Sequence, residues 1–321
     1  MITELEFKSL ASQGYNRIPL MSEAFADLET PLSLYMKLAA GAGGAGGGRY
    51  SFLLESVIGG ERFGRYSFIG LPARTFLRAS GFGAAARTEV VTDGQVVETA
   101  PGNPLDFVDA YQKRFKVALR PGLPRFCGGL AGYFGYDVVR HIEKKLSASC
   151  PPDTLGTPDI LLMHCEELAV IDNLSGKLYL IVYADPAQPE SYSNAKKRLK
   201  VLREQLRYSV AAPQVKPSTN YPAERSFAKA DYLAAVERAK ELIAAGDFMQ
   251  VQVGQRISKR YTESPLSLYR AVRSLNPSPY MIYYDFGDFH VVSASPEILV
   301  RQEHTAEGKK VTIRPLAGTR P

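Results

Sequence analysis

Short segments in which apolar and polar residues alternate dominate the N-terminal part of the chain. This period of two predicts β-strands. Two such segments, 88–91 and 95–98, flank Thr92-Asp93-Gly94 and predict a β-hairpin. A Gly- and aromatic-rich segment, 126–136, predicts a strand against which a neighbouring backbone packs closely. The other strands predicted in this part are 49–56, 62–69, 160–163, 168–172 and 177–183.

Helices are predicted from capping residues and from apolar positions that recur every three or four residues. Thr30-Pro31 and Asn103-Pro104 each combine a capping side chain with a proline at the first helical position. The Gly-rich segment 41–48 is interpreted as a flexible connector. The predicted helices are 31–40, 104–119, 190–208, 231–245 and 265–276.

The best domain boundary is Ser209–Ser226, which is rich in Pro, Ser and Ala and has no hydrophobic periodicity. We therefore predict an N-terminal region of residues 1–208, a linker of residues 209–226 and the first part of a second domain at residues 227–321. Alternating segments at 280–286 and 289–293 predict a hairpin in this second domain.

A further alternating segment, Phe248–Ser258, predicts a strand with an unusually polar face. Gln250, Gln252 and Arg256 lie on that face. Two amides and a guanidinium suit the wall of a polar cavity. The alternative is an edge strand or a solvated face.

The composition limits the class of protein. Apolar residues make up 45% of the chain, which is enough to build a core, and the net charge of +6 suits an anionic substrate. The basic cluster Lys196-Lys197-Arg198 is interpreted as a solvated helix face rather than a nucleic-acid site. The three cysteines lack metal-ligand spacing, and no segment is apolar enough to span a membrane. We expect a cytoplasmic protein that binds neither nucleic acid nor membranes.

The last residues of the chain carry groups that suit a carboxylate ligand. An alternating segment from Lys310 leads into a turn that contains Gly318, Thr319 and Arg320. Gly318 permits close approach to the backbone, Thr319 offers a hydroxyl, and Arg320 offers a planar set of donors. Because the chain ends within this motif, we expect it to be part of a longer enzyme.

A second group of residues suits an amino-acid ligand. Glu55 and Ser56 end a predicted strand, and the turn Asn276–Met281 contains two prolines that leave neighbouring carbonyls free. The carboxylate could bind the ammonium group of the ligand, and residues 279–281 could form an apolar wall. A strand end and a rigid turn would explain each motif taken alone.

Several longer motifs occur in a fixed order along the chain. They are Leu53–Ser56, Gly60–Gly70, Asn276–Met281, Ser293–Arg301 and Ile313–Pro321. With them, essentially the whole chain resembles the component I (large subunit) family of anthranilate synthases, which are chorismate-using enzymes of tryptophan biosynthesis. The resemblance implies an α+β fold in which large, mainly antiparallel β-sheets pack as a sandwich with helices outside. The hairpin-rich pattern agrees with this fold.

The resemblance also implies two binding sites. The allosteric site for the feedback inhibitor L-tryptophan is implied to contain Ser56, Pro279, Tyr280 and Met281, with Glu55 and Asn276 beside them. Chorismate is implied to contact Gly318 and Thr319, and Thr319 is also a catalytic candidate.

Two positions distinguish this chain from other chorismate enzymes. Relatives that form aminodeoxychorismate through a covalent intermediate carry a lysine where this chain has Ala317. Relatives that form isochorismate carry a lysine base where this chain has Gln250. Alanine cannot act as a nucleophile and an amide cannot act as a base at neutral pH. We therefore expect ammonia to be the nucleophile, with Gln250 in the catalytic site.

The implied reaction adds ammonia to chorismate with the help of Mg²⁺ and then eliminates pyruvate to give anthranilate. The ammonia would come from glutamine through a partner, the glutamine amidotransferase subunit (component II). The metal ligands and the catalytic histidine of the family would lie beyond residue 321, so no metal ligand is assigned and the chain alone is expected to be inactive. Two alternatives are a non-catalytic fragment that retains only ligand-binding elements, and a relative of aminodeoxychorismate synthase.

Overall fold

The structure is a computed structural model that describes residues 1–40, 48–57, 64–211, 220–305 and 307–315. Its contacts divide the chain into two units. The first unit contains Met1–Ala211 together with Tyr269–Pro321, and the second contains Ala212–Leu268.

Most of the predicted helices and strands are present, with differences at their ends, and the structure adds elements that were not predicted, among them Glu4–Ser12, Ile18–Phe25 and Thr75–Ser80. The helices are α1 (Glu4–Ser12), α2 (Pro31–Tyr35), α3 (Pro104–Gln112), α4 (Ser191–Gln205), α5 (Lys229–Ala245) and α6 (Pro265–Leu275). Short helical turns lie at Met36–Ala40, Gly83–Ala85, Tyr136–His141 and Lys144–Ser149. The strands are β1 (Ile18–Phe25), β2 (Ser51–Glu55), β3 (Tyr66–Gly70), β4 (Thr75–Ser80), β5 (Arg87–Thr92), β6 (Gln95–Pro101), β7 (Gly129–Phe134), β8 (Ile160–Cys165), β9 (Glu167–Asp172), β10 (Lys177–Ala184), β11 (Ala223–Arg225), β12 (Ile257–Lys259), β13 (Tyr280–Asp285), β14 (His290–Ser295), β15 (Arg301–Thr305) and β16 (Gly308–Thr312).

Two large antiparallel sheets form the first unit. The larger has the strand order β1-β10-β9-β3-β2-β13-β14, and the smaller has the order β6-β5-β4-β8-β7. A core of apolar side chains joins Phe52 and Leu168 of the larger sheet to Phe76 and Met163 of the smaller one. Since these residues come from facing sheets and are buried together, the two sheets pack as a sandwich.

Helices cover the outer faces of this sandwich. On the smaller sheet, Val108 and Tyr111 of α3 pack against buried residues of β4 and β8. On the larger sheet, α4 contacts β10 and β1, and α2 contacts β2 and β3. Ala195, Leu199 and Leu202 are the buried residues of α4, as their helical spacing predicts. The predicted α+β sandwich with outer helices is confirmed.

Helix α3 is shorter than the predicted helix 104–119, because the chain beyond Gln112 pairs elsewhere. The Lys116 N–H donates to the side-chain oxygen of Asn16 over 2.7 Å. The Ala118 N–H donates to the carbonyl of Arg17 over 3.0 Å. These bonds to the segment before β1 replace helical bonds, so tertiary pairing overrides the helical pattern.

The predicted hairpins are both present. β5 pairs with β6 around Asp93 and Gly94, and β13 pairs with β14 around Gly287. β13 also pairs with β2, so a hairpin from the predicted second domain completes a sheet of the N-terminal region. Residues 212–219 of the predicted linker lie outside the described residues, and the domain boundaries at 208 and 227 stay a prediction.

The second unit contains α5 and a short antiparallel pair, β11 and β12. Helix α5 ends at Gly246, whose φ of +86° is the left-handed conformation expected of a C-terminal glycine cap. The predicted strand Phe248–Ser258 is wrong over most of its length, since only Ile257 and Ser258 belong to β12. Gln250, Gln252 and Arg256 are exposed. Alternation alone is not sufficient here, because a strand also needs a partner, and β11 offers three residues.

Candidate functional site

The end of β2 and the start of β13 lie side by side in the larger sheet. Glu55 is paired with Met281, and Leu54 with Ile282. Ser56 follows Glu55 directly, and the Val57 N–H donates to the carbonyl of Ser278 over 3.3 Å. The sheet therefore brings together two motifs that are far apart in the sequence.

A cavity of about 620 Å³, which we call the β2–β13 cavity, opens at this point. Residues 54–56 form one wall and residues 279–282 form another. Its volume is within the range of ordinary small-molecule sites. Of the residues predicted to bind an amino acid, Glu55, Ser56, Pro279, Tyr280 and Met281 line this cavity.

Aromatic side chains form the apolar part of the β2–β13 cavity. Tyr66 and Phe68 of β3 line it together with Phe126 and Tyr284. The rings of Phe68 and Phe126 meet edge to face, with centroids 5.6 Å apart and planes at 81°. Because Phe68 and Phe126 come from different parts of the chain, this contact fixes a rigid apolar wall.

Guanidinium groups supply the charge around the β2–β13 cavity. Arg65 lies 3.2 Å from Asp172, and Arg125 lies 2.6 Å from Glu303. Arg301 makes no ion pair with any residue in the described ranges. The cavity wall therefore offers a guanidinium that suits a carboxylate ligand.

The carboxylate of Glu55 is already bound within the protein. Arg273 of α6 donates two hydrogen bonds to it, each 2.7 Å long, and the Tyr269 hydroxyl donates a third of 2.9 Å. The side chain of Glu55 is only 3% exposed. The hydrogen bonds to Glu55 raise the pKa of Arg273 above its usual range, and burial followed by the charge of Glu55 raises that of Tyr269. A ligand's ammonium group would therefore have to compete with Arg273 for the Glu55 carboxylate.

The other predicted site residues lie elsewhere. Asn276 follows α6, its carbonyl accepts a hydrogen bond from the Ser278 hydroxyl over 3.2 Å, and it is not among the residues that line the β2–β13 cavity. Gln250 belongs to the second unit and is exposed. Gly318 and Thr319 lie outside the described residues. Their roles stay predictions.

Sequence reasoning missed several residues of this site. Arg65 and Arg301 lie within motifs that the sequence analysis singled out, but they were given no role there. Arg273 and Phe126 could not be found by spacing, because each reaches the site from a distant part of the chain. The general signal that could have pointed to the Glu55–Arg273 pair is that a buried carboxylate needs a partner, but the sequence does not show which residue provides it.

The described residues do not supply a site for Mg²⁺. Across ranges 1–40, 48–57, 64–211, 220–305 and 307–315, no three His, Cys, Asp or Glu side chains come together as a metal-binding group. Mg²⁺ favours carboxylate oxygens in octahedral geometry, so the residues present do not fit this metal and no step is assigned to it. In the same ranges no helix has the length and apolar character needed to cross a membrane.

The chain matches a known protein family and several known proteins over most or all of its length. The chorismate binding enzyme family matches residues 67–321. A protein of Neisseria meningitidis serogroup B, described as anthranilate synthase component 1, is 53% identical over all of this chain and 63% of its own length. A protein of Pseudomonas putida with the same description is 49% identical over 98% of this chain and 62% of its own length.

One solved structure extends the comparison to the fold. It is anthranilate synthase component I from Streptococcus pneumoniae, with a TM-score of 0.60 and 28% sequence identity, over 86% of this chain and 58% of that chain. The chain therefore spans somewhat less than two thirds of the length of these relatives. Since the family match covers most of its residues, the chain belongs to the chorismate-binding enzyme family.

Proposed function

We propose that the chain acts as, or within, the component I subunit of an anthranilate synthase, and that the β2–β13 cavity binds L-tryptophan as a feedback inhibitor. One observation carries the inhibitor assignment. The cavity joins Ser56 to Pro279, Tyr280 and Met281, the residues for which the sequence predicted an amino-acid site. The relatives described as anthranilate synthase component 1 support the same enzyme class.

The β2–β13 cavity offers groups that suit both the indole ring and the charged amino-acid end of tryptophan. The edge-to-face pair Phe68 and Phe126 offers a wall on which an indole ring can pack. Arg301 offers a guanidinium for the carboxylate of the amino acid. Because Glu55 is bound to Arg273, we assign the ammonium group to hydroxyl and carbonyl oxygens at the ends of β2 and β13, where Ser56 lies.

For the reaction, we propose that ammonia adds to the ring of chorismate while the ring hydroxyl leaves as water, and that pyruvate is then eliminated to give anthranilate. Gly318 and Thr319 are proposed to bind chorismate, with the Thr319 hydroxyl donating to a substrate oxygen. Gln250 is proposed to hold the nucleophile by hydrogen bonding, since an amide does not take up a proton at neutral pH. The partner is a glutamine amidotransferase subunit that supplies ammonia, and the metal is Mg²⁺ bound by residues other than the described ones.

We also propose that the protein works in the cytoplasm. Its three cysteines, Cys127, Cys150 and Cys165, are free thiols in the structure. Free thiols persist in the reducing cytoplasm and are uncommon in secreted proteins.

Isothermal titration calorimetry of the chain with L-tryptophan and D-tryptophan tests the inhibitor site. We expect L-tryptophan to bind at least about tenfold more tightly, because a charged carboxylate contact depends on stereochemistry. Ser56→Phe should fill the cavity and abolish binding. Ser80→Phe is the matched control, since Ser80 is an exposed residue at the end of β4 and lies outside this cavity. Equal binding of L-tryptophan by both variants would place the inhibitor site elsewhere.

A fluorescence assay for anthranilate, with chorismate, ammonium and Mg²⁺, tests the reaction. We expect the chain of 321 residues to form no anthranilate, because its described residues contain no metal-binding group. A version extended to the length of its relatives should form anthranilate from ammonium. If the extended version instead releases aminodeoxychorismate, the chain belongs to the folate branch of the family and the proposal is wrong.

A further inference from the structure

A second cavity, of about 370 Å³, lies where the two sheets of the first unit meet. We call it the His164 cavity. It is lined by the end of β8, by the end of α3 with the segment that follows it, and by Tyr183 of β10. Phe126 and Arg125 line both this cavity and the β2–β13 cavity. No part of the function proposed above uses the His164 cavity.

Each guanidinium group at the His164 cavity is already paired with carboxylates of the protein. Arg17 donates to Glu166 over 2.8 Å and also lies 3.0 Å from Asp185. Its guanidinium covers the ring of Phe115 at 5.0 Å from the ring centroid. Arg125 is paired with Glu303. An anionic ligand would therefore find no unpaired cation among these groups and one carboxylate in excess, and burying it would be unfavourable.

Aromatic rings and one imidazole define what the His164 cavity can recognise. The His164 ring lies 4.6 Å from that of Phe115 and meets Tyr111 edge to face at 6.0 Å. Within the described ranges its imidazole makes no hydrogen bond to another residue. Burial lowers the pKa of His164, so the ring is neutral near pH 7 and offers one donor and one acceptor.

The opposite wall of the His164 cavity is rigid. Tyr183 packs directly on Gly128, where a Cβ atom would lie 2.5 Å from the tyrosine ring. Gly128 also has a φ of +155°, so other residues are strained at this position. The Tyr183 hydroxyl donates to the Cys127 sulfur over 3.6 Å. This wall holds its shape without a ligand. Binding is favoured because little conformational entropy is lost when the ligand enters.

We propose that the His164 cavity is a second small-molecule site, which binds a neutral aromatic compound with one hydrogen-bonding group directed at the imidazole. Its aromatic walls contact both faces of a planar ring system. His164 recognises a hydroxyl or amine on that ring. Arg17 is already shared between Glu166 and Asp185, and this excess of carboxylate discriminates against anionic analogues.

The probe for this proposal is 2-naphthol, with 2-naphthoate as its charged analogue. Because the chain has four histidines, the imidazole resonances of His164 can be assigned and followed by NMR. We expect 2-naphthol to shift these resonances saturably, with a Kd on the order of 0.1 mM. We expect 2-naphthoate to bind at least about tenfold more weakly. Absence of a saturable shift at His164, or equal binding of the two compounds, would overturn the proposal.

Variants separate this site from the β2–β13 cavity. Gln112→Trp should fill the mouth of the His164 cavity from the exposed end of α3 and weaken 2-naphthol at least about tenfold. Lys113→Trp places the same ring one position further on, outside the cavity, and should leave the affinity unchanged. Ser56→Phe, which changes the other cavity, should also leave it unchanged. Loss of 2-naphthol binding in Ser56→Phe but not in Gln112→Trp would show that the compound binds in the β2–β13 cavity, and the proposal would be wrong.

Discussion

Replacing Arg273 by alanine should destabilise the first unit strongly, because it leaves a buried carboxylate without its main partner. Glu55 accepts two hydrogen bonds of 2.7 Å from Arg273 and one of 2.9 Å from Tyr269. Breaking a buried ion pair by removing one partner costs about 3–5 kcal/mol. The Arg273 side chain is 36% exposed, so water can reach the space that it leaves. We therefore expect a cost at or just below the lower end of this range, about 2–3 kcal/mol.

Urea unfolding followed by circular dichroism measures this cost. Tyr269→Phe removes only the third hydrogen bond and should cost about 1–2 kcal/mol. The double variant Glu55→Met with Arg273→Met removes both charges and should be more stable than Arg273→Ala by at least about 1 kcal/mol, since no buried charge is left unpaired. Lys240→Ala is the control, because Lys240 pairs with Glu237 on the exposed surface of α5 and should cost less than about 0.5 kcal/mol.

Two outcomes would refute this reasoning. A cost below about 1 kcal/mol for Arg273→Ala would show that water solvates Glu55 as well as arginine does. A double variant whose cost equals the sum of its single substitutions would show that Glu55 and Arg273 are not energetically coupled. In either case the ion pair would not hold α6 against β2.

The remaining predictions concern packing, pH and local opening. Gly132→Ala should cost at least about 2 kcal/mol in urea unfolding, because its Cβ would lie 1.9 Å from the carbonyl oxygen of Leu161, whereas Gly254→Ala meets open space and should be neutral. Burial lowers the pKa of His164 from 6.5, so the unfolded state takes up a proton more readily than the folded state. The free energy of unfolding should therefore fall as the pH drops below about 6.5, and it should fall less in His164→Gln. Amide exchange should be faster in α5, which has no buried residue, than in β9, and equal protection would contradict this.

The sequence predicted local structure well where a strand and the strand that pairs with it are close together along the chain. The hairpin of β13 and β14 needs only two alternating segments and a turn at Gly287 and Asp288. The strands β8, β9 and β10 follow one another along the chain and are buried at most of their positions. In contrast, Phe248–Ser258 has the same alternation and forms little strand, because β11 is its described partner and is only three residues long. Periodicity does not reveal whether a partner exists.

The order of strands in the larger sheet was beyond the reach of pattern analysis. β2 lies between β3 and β13, and β13 is far away in the sequence. Pairing of this kind depends on which apolar faces fit together in three dimensions. The resemblance to a known family nevertheless predicted that Ser56 lies near Met281, and the structure places both at the β2–β13 cavity.

Side chains alternate between the two faces of β2 and β13, and this divides the motif residues into two groups with different roles. Successive side chains of a strand point to opposite faces, and directly paired residues share a face. Glu55 and Met281 are paired, and the carboxylate of Glu55 points to α6, so both side chains belong to the helical face. Leu54 and Ile282 pack toward the sandwich core on the other face. The motif that looked like one ligand site therefore combines a structural ion pair with a cavity wall, and a shift of register by one residue would exchange the two.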